Sequence, residues 1–155
     1  MTDIISSDSS LNEDDLTALR VIAGTIIPAS ERYQIPGADD ESIFNNIVAI
    51  AREQGDDSLK RQLTALQSQC HDRHQCALEE LSLKDRVALL KASGHARFLY
   101  RMIRLTANAY YQDGRVLASM DLKDVPPFPG GHDVPEGDWS LLDPVRAREP
   151  FYTRV

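Results

Sequence analysis

"NEDDLTALRVIAGTIIP", residues 12–28, decides the fold class. Asn12 has the side chain of a helix N-cap, and Glu13, Asp14 and Asp15 fall in the first turn, where the helix dipole favours acids. Leu16, Leu19, Ala23 and Ile26 then recur at steps of three, four and three, so they share one face of a helix. Ile22 and Ile27 widen that stripe, and Pro28 ends it. The period is that of a helix with one buried side, not that of a strand.

The same period recurs downstream. Pro28, Pro36 and Gly37 make the next stretch a fixed loop. Asp39 or Asp40 is placed to cap a second helix, whose Ile43, Phe44, Ile47, Val48 and Ile50 form a broad stripe, with Gly55 suited to the position just past its end. Leu59, Leu63, Leu66 and Cys70 follow at steps of four, three and four, in a third helix that runs to about Arg73 or Gln75. Ser82 and Asp85, three apart, resemble a capping box ahead of Val87, Leu89 and Leu90. Gly94 bends or divides this segment. The last long helix, roughly His95 to Gln112, carries Phe98, Leu99, Met102, Ile103, Leu105 and Ala109, with Tyr110 and Tyr111 at its end and Gly114 as its expected stop. "RVLASMDL" at 115–122 is too short and too poorly alternating for a strand. These signals predict an all-α protein: a flexible N-terminus at 1–10, a bundle of about five helices over 11–118, and an extended proline-rich C-terminal arm over 119–155.

The chain has 155 residues, 42% of them apolar, enough for one domain with a core of its own. No apolar run approaches the roughly 20 residues that span a bilayer, so direct membrane insertion is not expected. "MTDIISSDSS" is acidic, with neither a basic start nor an apolar core, so the sequence reads as cytoplasmic unless a signal-bearing partner carries it to the periplasm. The net charge of −7 argues against nucleic acid. That charge is uneven. Residues 1–58 hold 12 acids and 3 bases, whereas residues 59–125 hold 7 and 11. Either the two regions attract each other or are simply solvated, or a basic face docks on an acidic partner. Arg97, Arg101 and Arg104, at steps of four and three, share a helix face and repel one another unless ion pairs with the acidic front half, or an anionic partner, compensate.

"CHDRHQC" at 70–76 gathers Cys70, His71, His74 and Cys76. On a helix, Cys70 and His74 face the same way, which makes a zinc or redox site conceivable, although zinc modules draw ligands from two separated pairs and no second pair exists. Six helical residues separate two Cα atoms by about 9 Å, beyond the roughly 7 Å that a disulfide spans. A Cys70–Cys76 bridge therefore requires the helix to break. The alternative to a solvated helix end is a metal-binding or redox helical protein built on this cluster. No nucleophile elbow, glycine-rich phosphate loop, dinucleotide fingerprint or haem-attachment motif is present, so no catalytic residue is named.

The arm, "PPFPGGHDVPEGDWSLLDPVRAREPFY" at 126–152, holds six of the eight prolines and the only tryptophan. Prolines at this density stop helices and central strands, yet the arm keeps Phe128, Val134, Trp139, Leu141, Leu142, Val145, Phe151 and Tyr152. Aromatic side chains bury on the order of 150–250 Å² each, and a proline-stiffened segment loses less entropy on ordering. Asp138 can cap a short turn at "WSLLDPVRAR", with Leu141, Leu142 and Val145 on one side. The arm is expected to pack on its own bundle, on a partner subunit, or on both.

"LRVIAGTIIPASERYQIPGADD" at 19–40 resembles the opening of the gluconate 2-dehydrogenase subunit 3 family, and the 126–152 stretch resembles the C-terminal segment of the same family, with its "PPFP.GH" and "W.LLDPVR.R" elements. The resemblance implies a small, non-catalytic, chaperone-like subunit that binds, stabilises and helps mature or export a large FAD-dependent sugar or polyol dehydrogenase of the glucose–methanol–choline type. It implies no cofactor in this chain, FAD in the partner, and often a cytochrome c subunit as electron acceptor. Many members begin with a twin-arginine signal, and this sequence does not. The partner-binding residues expected are Pro127, Phe128, Pro129 and His132, then Trp139, Leu141, Leu142, Pro144, Val145 and Arg146, then Phe151 and Tyr152.

Overall fold

A computed structural model describes residues 11–53, 57–125 and 136–149. Among the described residues the secondary structure is helical throughout, as expected: α1 (Glu13–Ile26), α2 (Glu41–Glu53), α3 (Asp57–His74), α4 (Leu83–Lys91), α5 (Ala96–Tyr110), α6 (Gly114–Ser119) and α7 (Asp143–Arg146), with short 3-10 turns at Leu78–Glu80, Ser93–His95 and Trp139–Leu142. The chain divides into two compact units, Met1–Asp124 and Val125–Val155.

The caps read from sequence form as hydrogen bonds. Asp15 N donates to Asn12 Oδ1 at 2.8 Å, and Asn12 N donates back to Asp15 Oδ2 at 3.1 Å. This reciprocal box leaves two fewer orphan donors at the start of α1. Of the two candidates before α2, Asp40 is the cap, accepting from Ser42 N at 3.1 Å. Ser82 caps α4 by accepting from Asp85 N at 3.2 Å, while its hydroxyl donates to the Asp85 carboxylate at 2.6 Å. Gly55 lies outside the described residues.

The core of the first unit sits around α5. Phe98, Met102, Leu105, Thr106, Ala109 and Tyr110 are its buried face, and they pack chiefly against α2, with α1 and α4 at the sides. Leu19, Ile22, Ile43, Ile47, Leu63 and Leu66 are fully enclosed in the same cluster. Each such side chain contributes roughly 1.5–3 kcal/mol on leaving water, so these stripes, more than helix propensity, hold the helices in place.

The loop between α1 and α2 is fastened at both ends. Ser30 and Ile35 exchange backbone hydrogen bonds at 3.0 and 3.2 Å, and Ala38 N donates to Ile27 O at 2.8 Å. Tyr110, at the far end of α5, donates its hydroxyl to Pro36 O at 3.0 Å. A Cβ at Gly37 would stand 2.8 Å from Ala29 N, and one at Gly24 would stand 2.8 Å from Asp39 Cγ. Glycine is needed at both places because the returning loop lies directly against the end of α1.

One sequence reading changes. Gly114 does not stop the last long helix. Its end is at Tyr110, and Gly114 opens α6 behind Asp113, whose carboxylate accepts from Arg115 N at 3.0 Å. The stretch that failed as a strand is this helix, with Val116 buried. The third helix, as expected, stops short of Cys76. It ends at His74, and Gln75 takes a left-handed φ of 54° with its N–H bonded to His71 O at 2.8 Å. The chain turns back there, as at a helix C-terminus closed by a left-handed residue.

In the second unit, Asp138 caps the turn as expected. Its Oδ1 accepts from Ser140 N at 3.0 Å and from Ser140 Oγ at 2.6 Å, which holds the carboxyl below its usual range. Pro144 stands in the first turn of α7, where its missing N–H costs nothing.

Candidate partner-binding surfaces

Four groups of side chains stand out. The first belongs to the turn Trp139–Leu142 and α7. Trp139 is 70% exposed, Leu141 74%, Val145 57% and Leu142 41%. Four large apolar side chains thus face outward within seven residues. Pro144 and the Asp138 cap fix the local backbone, so they are displayed from an ordered turn and not from a coil. Arg146 pairs weakly with Asp143 at 3.5 Å. Of the expected partner-binding residues, Trp139, Leu141, Leu142, Pro144, Val145 and Arg146 are brought together here. Pro127, Phe128, Pro129, His132, Phe151 and Tyr152 lie outside the described residues.

The second is a groove of about 800 Å³ along the outer side of α5, lined by Ser58, Gln62, Arg97, Tyr100, Arg101, Arg104 and Asn108 over a floor of Leu105 and Ala107. The helical spacing sets the three arginines in one row, as their sequence positions require. Arg101 donates to Ser58 Oγ at 3.0 Å. Arg97 and Arg104 make no ion pair or hydrogen bond among the described residues. The Oε1 of Gln62 is buried without a hydrogen-bond partner, and the Tyr100 ring is 65% exposed. The arginine row was legible in the sequence. Ser58 and Gln62, contributed by α3, were not, because only the tertiary fold brings them to the groove.

The third is the end of α3. The reversal at Gln75 brings Cys76 back over Cys70, whose Sγ lies 3.5 Å from Cys76 O. Burial, followed by the neighbouring Cys76, pushes the Cys70 thiol up, and both cysteines are free. The helix break that a bridge demands is therefore present. His71 and His74 are exposed on the outer face and Cys70 is buried. Among the described residues no three His, Cys, Asp or Glu side chains are gathered to hold a metal ion. His95, buried beside this region, bonds to Gln69 Oε1, and burial together with Arg73 holds its pKa below the ordinary value.

The fourth is a charged clasp joining α6 to the start of α2. Arg115 Nη2 lies 2.7 Å from Asp40 Oδ1, 2.9 Å from Asp113 Oδ2 and 2.7 Å from Ser42 Oγ. Its bonds hold both carboxyls below the usual range and raise its own pKa. No sequence motif announced it, since the partners lie far apart in the chain and each is an ordinary capping residue. One guanidinium ties together two carboxylates that each cap a helix, which marks the clasp as a structural fastening.

Comparison with known families assigns the helical unit. Residues 13–119 match gluconate 2-dehydrogenase subunit 3. The chain belongs to that family. The match opens at the first residue of α1 and closes at the last of α6, so the family unit is the whole run of helices in the first unit, including the loop fastened by Gly24, Gly37 and Tyr110. The turn bearing Trp139 lies beyond it. No curated protein and no solved structure matches the chain.

Proposed function

We propose that this chain is a non-catalytic accessory subunit that binds, stabilises and helps mature a large FAD-dependent dehydrogenase subunit of the glucose–methanol–choline type, acting on a sugar or polyol. Membership in a family named for the third subunit of a dehydrogenase supports the subunit role. The flavin, and any cytochrome c that accepts its electrons, belong to other chains, and the compartment of the complex follows from the large subunit.

The observation that carries the reading is the exposure of Trp139 and Leu141 on a capped, proline-stiffened turn. A tryptophan left mostly in water contributes little to its own fold, but burying it in a partner supplies a central anchor. Leu142 and Val145 extend the apolar contact, and Arg146 adds a group that bonds carboxylates at its edge. Binding through such a segment costs less ordering entropy than binding through a flexible tail.

Co-expression with the large subunit tests this. Trp139→Ala should weaken the complex by at least about 2 kcal/mol, roughly thirtyfold in Kd. The stability of the chain alone should change by no more than about 0.5 kcal/mol, as for exposed sites generally. Unchanged co-purification of a Trp139→Ala, Leu141→Ala double variant would remove the turn from the interface.

A further inference from the structure

We infer that the arginine groove on α5 is a second docking site, and that its occupant is an acidic helix of a partner chain. The inference rests on the subunit reading above, and it assigns to the helical unit a contact that reading does not use.

The groove is positive in a chain whose net charge is −7. Its described lining residues include three arginines and no carboxylate. Arginines three and four apart on one helix face repel each other, and among the described residues Arg97 and Arg104 make no ion pair or hydrogen bond. Carboxylates of a partner would supply compensation to this row. Seven residues of helix place Arg97 and Arg104 about 10 Å apart along the axis, which is too far for one carboxylate or one phosphate to meet the whole row. A second helix laid alongside, with acids at steps of three and four, presents carboxylates at the same intervals. Guanidinium groups pair with such carboxylates through two parallel hydrogen bonds.

The rest of the groove suits a helix as well. The exposed ring of Tyr100 lines the groove beside the row and offers apolar surface to the flank of an amphipathic occupant. Asn108 extends the row by one further turn. The orphan Oε1 of Gln62 waits for a donor such as a serine or glutamine side chain.

The test is a titration of the full chain against a fluorescein-labelled, alanine-rich peptide with glutamates at positions 5, 9 and 12. A control peptide of identical composition carries its three glutamates consecutively. The groove predicts at least tenfold tighter binding of the spaced peptide. It also predicts at least a tenfold loss in an Arg97→Gln, Arg104→Gln variant, whose helical circular dichroism should be unchanged because both positions are exposed. Equal affinity for the two peptides would overturn the proposal, as would wild-type binding by the variant. It would also be overturned by a concentration-dependent dimer of the chain that the double substitution abolishes, since the occupant would then be a second copy. The titration contains no dehydrogenase, so a flat result bears on the groove alone, whereas failed co-purification of the unaltered chain bears on the subunit reading.

Discussion

Arg115 Nη2 stands 2.7 Å from Asp40 Oδ1 across 75 residues of sequence, and the same guanidinium reaches Asp113 Oδ2 at 2.9 Å. The short helix α6 is thereby fastened to the first turn of α2 by a group that also bridges two caps. Asp113 has a double duty, since it caps α6 and accepts from Arg115. Asp113→Ala should cost about 1–2 kcal/mol at pH 7, most of it from the lost cap, because the half-exposed ion pair is screened by solvent.

The pH dependence has a definite sign. Hydrogen bonds from Arg115 lower the native pKa of both Asp40 and Asp113. Their contribution is complete above the unfolded value of about 3.9 and is lost as the pH falls through the lower native values. Thermal unfolding followed by circular dichroism should show the Asp113→Ala deficit at pH 7 and its shrinkage below pH 4 or so. A deficit that grows on acidification would contradict the assignment.

Much of the fold was legible because its signals are local. The Asn12 box, the Ser82 cap and the Asp138 cap need only three or four residues, and the core faces of α1, α2, α3 and α5 need only a repeating period. Local patterns are weaker where a chain reversal is required. Gly114 looked like a helix stop because glycine commonly follows a helix end, whereas here Asp113 supplies a cap and the chain re-enters a helix. The end of α3 near Gln75 was legible, but Gln75 gave no sign of the left-handed conformation that turns Cys76 back over Cys70. The arginine row of the groove could be read from its spacing, but Ser58 and Gln62 could not, since they arrive from α3 through tertiary packing.

Thr106 supplies a test of the core. It is fully buried on α5 and its hydroxyl has no hydrogen-bond partner. An unsatisfied buried polar group carries its desolvation cost with no return. Thr106→Val keeps the shape and removes the hydroxyl, so it should be neutral or stabilise the protein by up to about 1–2 kcal/mol. Denaturant unfolding measures this directly, and a destabilisation above about 1 kcal/mol would mean that the hydroxyl is satisfied.

The two cysteines should differ in reactivity. Burial raises the Cys70 pKa and keeps reagents from it, whereas Cys76 is partly exposed. The thiolate is the reacting species. Iodoacetamide at pH 8 should therefore label Cys76 in the folded chain and leave Cys70 untouched until denaturant is added, as read by mass spectrometry of tryptic peptides. Preferential labelling of Cys70, or stoichiometric zinc or iron in elemental analysis of the purified chain, would favour the metal or redox reading of residues 70–76 over a structural one.

The central claim is that this chain serves a dehydrogenase without performing the oxidation. Its most direct test is a titration of the separately purified, flavin-loaded large subunit with this chain, following the thermal stability of the flavoprotein and its sugar-dependent reduction of a dye. The account predicts no dye reduction by this chain alone and a saturable rise in the flavoprotein's melting temperature, diminished by Trp139→Ala. Sugar oxidation by the isolated chain, or a flavoprotein whose melting temperature ignores it at every concentration, would contradict the account.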